Sequence, residues 1–183
     1  MIAIIGKSGV GKSTFLNFLQ RQGYRVLIVD NLVKKLYQNG SEGYKLIKNN
    51  LGENFVNDVE VDKKALVDRL FLQPEFINEI ESLIFPLIEN HLENNFYDFV
   101  EIPILYKKNA NFSRFFTKVI CIDIPEKIRV KNLQKRNVNN KNKIVIDTIN
   151  KHFFDPKIVN IYCYKVLSRN FFKKFFKIYF SSI

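Results

Sequence analysis

Ile2-Ala3-Ile4-Ile5-Gly6-Lys7-Ser8-Gly9-Val10-Gly11-Lys12-Ser13-Thr14 is the stretch on which the reading of this 183-residue chain turns. Ile2 to Ile5 form a continuous apolar run, the pattern of a strand buried on both faces. Phe15, Leu16, Phe18 and Leu19 then recur at helical spacing until Gly23, a residue suited to ending a helix. Between the two, Gly6 to Ser13 satisfy G-x-x-x-x-G-K-[ST] in the order strand, loop, helix that the pattern requires. Glycines allow positive φ and turn successive backbone N–H groups toward an anion, and the helix N-terminus adds partial positive charge. The expectation is a phosphate loop in which Gly9, Val10, Gly11, Lys12, Ser13 and Thr14 wrap a nucleoside triphosphate. Lys12 would reach its β and γ phosphates and the Ser13 hydroxyl would ligate Mg²⁺.

Working outward, Arg25 to Val29 make a second apolar run that ends at Asp30. A carboxylate at the carboxyl end of a parallel strand stands where open α/β sheets bind ligands. Asp30 there either accepts or orients an acceptor hydroxyl, or caps a helix beginning near Asn31. A third run, Phe96 to Ile102, carries Glu101 near its end. Glu101 holds magnesium through water, or serves cross-strand packing or a salt bridge to a nearby Lys. Further strands are expected at Lys118 to Ile124 and Tyr162 to Leu167. Five short strands separated by helical stretches describe an α/β fold built on a doubly wound parallel five-stranded sheet.

The long segment 31–95 is patterned as helix. Asp62 suits an N-cap for a helix bearing Leu66, Val67 and Leu70, and Pro74 a first-turn position of the next one. That helix aligns Phe76, Ile77, Ile80, Leu83, Ile84, Leu87 and Ile88, with a kink expected at Pro86. These apolar residues read as packing; substrate contact by Phe85 or Tyr44 is the lesser alternative. Glu126 to Arg136 reads as a basic helix with Lys127, Arg129, Lys131, Lys135 and Arg136, followed by a polar stretch, Asn137 to Lys143. A basic lid would exclude water and stabilise developing charge, a role expected of Arg136, whereas the other cations read as solvated helix face. The C-terminal Phe/Lys pattern at 171–180 reads as a helix covering a sheet, with Lys stems passing its edge.

The composition, 46% hydrophobic, suits one globular domain with a full core. Net charge is +11, but Lys, Asn, Ile and the 18 Phe are abundant together, a slant toward A/T-rich codons. Much of the Lys is therefore expected to be solvated surface or to attract small polyanions, and neither a nucleic acid nor a membrane is expected as a partner. Cys121 and Cys163 lie within apolar runs and read as buried thiols of a cytoplasmic protein. No apolar stretch approaches the roughly 20 residues needed to span a bilayer.

Several of these segments, in this order, resemble the dephospho-coenzyme A kinase family, a P-loop kinase of the nucleoside monophosphate kinase-like class. Val26-Leu27-Ile28-Val29-Asp30 with Lys34 resembles its strand ending in an acidic pair, and Leu51-Gly52-Glu53 with Phe71-Leu72-Gln73-Pro74-Glu75 its insertion. Phe85-Pro86-Leu87-Ile88, Glu101-Ile102-Pro103-Ile104-Leu105-Tyr106 and Ile122-Asp123-Ile124-Pro125-Glu126 through Lys135-Arg136 resemble three further motifs. The resemblance implies transfer of the ATP γ-phosphoryl group to the ribose 3′-hydroxyl of dephospho-CoA. Asp30 would be the catalytic base, Lys12 and Arg136 would stabilise charge, residues 9–14 would bind ATP, and Ser13 and Glu101 would serve Mg²⁺. It further implies a core of 1–30, 96–125 and 160–183, an acceptor-binding insertion 31–95, a lid 126–159, and a monomer or weak homo-oligomer. The chain departs from the family pattern at Ile28, Phe85, Lys107 and Asn137, which stand where an acid, a histidine, a glutamate and an aspartate are usual.

Overall fold

The computed structural model describes residues 1–107 and 110–135 together with the backbone of 158–162. The chain divides into two compact units, one of Met1–Val26, Tyr97–Ile104 and Phe116–Ile183, the other of Leu27–Phe96 and Leu105–Phe115.

The first unit is built on β1 (Ile2–Ile5), with α1 (Lys12–Arg21) following the glycine-rich bend. β1 lies between β3 (Phe99–Glu101) and β6 (Lys118–Asp123), parallel to both, with Ala3 paired to Val100 on one side and to Val119 on the other. With parallel neighbours on both edges and Ala3, Ile4 and Ile5 fully buried, neither side of this strand meets water, and the run is accordingly apolar without alternation. β6 in turn pairs in parallel with β7 (Ile158–Tyr162). Phe15, Leu16 and Leu19 of α1 and Leu133 of α6 (Glu126–Gln134) add to the core.

Sheet order is β2-β3-β1-β6-β7, with β2 at Val26–Ile28. Parallel register runs through four of these strands, β3, β1, β6 and β7, in place of the five expected. β2, at the edge of the sheet beside β3, is three residues long and passes directly into α2 (Val29–Leu36). The last strand lies at Ile158–Tyr162, before the expected Tyr162 to Leu167; residues 163–167, Cys163 among them, lie outside the described residues. The C-terminal pattern at 171–180 lies outside them too.

The second unit is helical: α2, α3 (Glu42–Leu51), α4 (Lys63–Leu72) and α5 (Ile77–Asn94), with a small antiparallel hairpin of β4 (Tyr106–Lys107) and β5 (Ala110–Asn111). Asp62 caps α4 as its position predicts, accepting from the N–H groups of Lys64 at 2.9 Å and Ala65 at 3.0 Å. Pro74 opens a 3-10 turn, Pro74–Phe76, that leads into α5, and α5 continues through Pro86. The buried stripe of this region is Phe76, Ile80, Ile84, Ile88 and Leu92, at helical spacing. On α4 only Leu66 is buried, and Val67, expected to pack beside it, is 46% exposed. No helix among the described residues is long and apolar enough to cross a membrane.

Candidate active site

The loop after β1 has the backbone its glycines foretell. Gly6 has φ +143°, and a Cβ there would sit 2.4 Å from the carbonyl oxygen of Ile122 on β6, so the loop passes β6 where a side chain has no room. Gly11, at φ 99°, is the N-cap of α1, and its carbonyl accepts from the N–H groups of Thr14 and Phe15. The first N–H groups of a helix have no acceptor within it, so α1 presents amide dipoles and partial positive charge toward the bend.

Lys12, the first residue of α1, carries its ammonium across that bend. Its Nζ donates to the carbonyl of Gly6 at 2.7 Å and to that of Lys7 at 3.2 Å, and lies 3.5 Å from Glu101 Oε1. The cation is thus held where a helix N-terminus already favours anions, the arrangement that suits a polyphosphate. Of the readings open for Glu101 in sequence, the ion pair to a lysine is the one observed, and that lysine belongs to the loop itself. Ser13 and Thr14 are exposed in the first turn of α1.

Two side chains of α6 reach the same loop, and sequence reasoning missed both. Arg129 is 1% exposed and donates from Nη1 to the Ser8 carbonyl at 3.1 Å, while its Nε and Nη2 engage Glu126. Asn132 Nδ2 donates to the Gly9 carbonyl at 2.8 Å. The reading of Arg129 as solvated helix face is therefore corrected: paired with Glu126, the guanidinium is desolvated with its charge compensated. The signal that was available is the three-residue spacing of Glu126 and Arg129, which brings opposite charges onto one helix face. Lys127, Lys131 and Lys135 are exposed, as expected.

Asp30 is exposed in the first turn of α2, which begins at Val29, close to the expected start near Asn31. Ile28 is the N-cap and no side chain caps the helix, so Asp30 does not serve as its cap. Arg136 and Asn137 lie outside the described residues. At the other departures, Phe85 packs edge-on against Phe112 at 5.3 Å, and Lys107 pairs with the buried Glu81. The Tyr44 hydroxyl donates to the Asn57 carbonyl at 2.9 Å. Cys121, on β6, is half-buried and not a full core residue; burial, then the Asp123 carboxylate, raise its thiol pKa, against the opposing pull of Lys12 and Lys7. In the helical unit an open pocket of about 340 Å³ is lined by residues including Leu32, Leu36, Leu87, Asn90 and His91. Burial, and secondarily Lys35, lower the His91 pKa.

The chain is 32% identical over 163 residues to the dephospho-CoA kinase of Mycoplasma pneumoniae, which covers 85% of this chain and 78% of that one. It is 29% identical over 153 residues to the dephospho-CoA kinase of Mycoplasma genitalium, covering 80% and 77%. Its fold matches the crystal structure of a Thermus thermophilus protein with a TM-score of 0.66 at 22% identity, covering 87% of each chain. The family model described as dephospho-CoA kinase matches residues 1–153, from the phosphate-loop strand through α6 and beyond, and this chain belongs to that family.

Proposed function

We propose that the phosphate loop of this kinase holds ATP while Asp30 readies the ribose 3′-hydroxyl of dephospho-CoA to receive the γ-phosphoryl group. The observation that carries the donor half is the Lys12 ammonium, held over the loop by the Gly6 and Lys7 carbonyls beside Glu101. Phosphoryl transfer asks little covalent chemistry of a protein: charge spreads over the transferred oxygens, and catalysis rests on positioning and compensation. Lys12 exchanges its carbonyl contacts for β and γ phosphate oxygens, and the loop of residues 9–14 takes the rest of that charge, through those of its N–H groups that are not already bonded to the Gly11 carbonyl. Asp30 accepts the hydroxyl proton as the new oxygen–phosphorus bond forms, while the bond from the γ-phosphorus to the bridging oxygen breaks and its electron pair leaves with ADP. Arg136 neutralises the charge that develops during transfer.

The residues present fit magnesium: a hydroxyl, Ser13, and a carboxylate, Glu101, are the hard oxygen donors with which proteins hold this ion alongside substrate phosphates and water. Held there together with ATP, Mg²⁺ would supply charge neutralisation to the polyphosphate. The same proposal takes the sheet as doubly wound, 31–95 as the acceptor-binding insertion and 126–159 as the lid, in a cytoplasmic monomer or weak homo-oligomer.

The test is coupled ADP production with dephospho-CoA, adenosine, AMP and shikimate offered separately. Turnover with dephospho-CoA alone is expected. Turnover with AMP instead marks a nucleoside monophosphate kinase, and ATP binding without turnover on any acceptor marks a nucleotide-binding protein that has lost transfer.

A further inference from the structure

We propose that Arg129 and Asn132 are positioning residues of the donor site: by holding the carbonyls of Ser8 and Gly9, they aim the N–H groups of Gly9 and Val10 at the phosphates of ATP. The proposal rests on the reading of residues 9–14 as the ATP-binding loop. A peptide group is planar and trans, so the carbonyl oxygen of one residue and the N–H of the next point to opposite sides of one rigid plate. The Ser8 carbonyl and the Gly9 N–H share such a plate, and the Gly9 carbonyl and the Val10 N–H share the next. Arg129 Nη1 binds the first carbonyl at 3.1 Å and Asn132 Nδ2 the second at 2.8 Å. With both oxygens tied to α6, both amides are turned away from it.

The contact is built as a unit. Residues 129, 132 and 133 follow one another at the spacing that places side chains on one helix face. Arg129 is buried and locked by a two-pronged pairing with Glu126, through Nε at 2.8 Å and Nη2 at 3.0 Å, so its third contact is aimed with little rotamer freedom left. Leu133 closes the approach on the loop: a Cβ at Gly9 would meet Leu133 Cγ at 3.0 Å and the Arg129 carbonyl oxygen at 3.3 Å, at a φ of +85°. Positive-φ glycine at this point gives the loop conformational freedom, and the two donors remove it before the nucleotide arrives. Preorganised amides need no reorientation when the polyanion binds, which is where such a brace contributes affinity.

The experiment compares Arg129→Met, Arg129→Lys and Asn132→Leu with the wild type in the full chain, measuring ADP affinity by calorimetry, KM for ATP and for dephospho-CoA, and thermal stability. The first and last variants are expected to weaken ADP binding and raise KM for ATP by about 10-fold, the scale of one lost hydrogen bond, while KM for dephospho-CoA stays within about twofold. Arg129→Lys, which keeps a cationic donor but not the fork, is expected to fall between. Asn132 is only half-buried, so Asn132→Leu carries the test if Arg129→Met fails to fold. A lowered melting temperature with unchanged ADP affinity and unchanged KM for ATP overturns the proposal, because a contact that merely stabilised the fold would act that way. Lys12→Met is the control: if it too leaves ADP binding intact, the ATP-loop reading itself has failed; if it abolishes binding while Asn132→Leu leaves ADP affinity at the wild-type value, only the brace has.

Discussion

Replacing Lys107 by Met should lower the melting temperature of this protein far more than an exposed hairpin lysine would. Glu81, in the first half of α5, is 5% exposed, and Lys107 of β4 pairs with its Oε1. The other oxygen, Oε2, is buried without a hydrogen-bond partner among the described residues, so the ion pair carries much of the compensation for a desolvated carboxylate. Lys107→Met keeps most of the side-chain volume and removes the charge. Stranding a buried partner costs about 3–5 kcal/mol, and because the Lys107 side chain is 26% exposed, water relieves part of this, placing the expected loss at about 3 kcal/mol. For a domain of this size that corresponds to a fall of roughly 6–12 °C, measurable by scanning calorimetry or circular dichroism. The double variant Glu81→Leu, Lys107→Met removes both charges and should regain most of the loss, since apolar replacements of buried pairs are often neutral or stabilising. A fall under about 2 °C for the single variant, or a double variant no more stable than the single, would refute the reasoning.

Asp30→Asn should leave ATP affinity near wild type and lower turnover at least ~100-fold, as loss of a general base does; unchanged turnover in the coupled assay removes Asp30 from the mechanism. Gly6→Ala forces a Cβ to 2.4 Å from the Ile122 carbonyl oxygen at φ +143°, and should cost more than about 4 °C in melting temperature along with ATP binding; a wild-type melting curve contradicts the loop geometry. His91 has a pKa lowered by burial and, secondarily, by Lys35. The unfolded chain therefore binds the proton more readily than the native one: native stability is undiminished above the ordinary value of 6.5 and is lost as pH falls below it. His91→Gln should narrow the difference in melting temperature between pH 7.5 and about pH 5.5, and an unchanged difference assigns the pH dependence to other groups.

Local pattern carried the phosphate loop, because every requirement for it is local: an apolar run, glycines where φ turns positive, and a lysine on the first helical residue are contiguous in the chain. The Asp62 cap and the buried stripe of α5 were legible for the same reason, being set by spacings of three and four residues. The number of parallel strands was not, since composition marks a run such as Val26–Ile28 as a strand without setting how it pairs with its neighbour. Arg129 was misread because one basic residue among several on a helix looks solvated until the partner is known, and its carbonyl acceptor on Ser8 lies far away along the chain. Glu81 shows the same limit: nothing near it in sequence announces burial, and its compensating lysine arrives from a separate hairpin.

By itself, the sequence determined that a strand, a glycine bend and a helix would form a seat for anionic phosphate, and that the chain would continue as alternating strands and helices. Only the tertiary structure decided which charges are buried, what holds them, and that α6 grips the loop by two of its carbonyls. The difference is physical: backbone conformation responds to neighbouring residues, whereas the cost of burying a charge depends on surroundings assembled from distant parts of the chain.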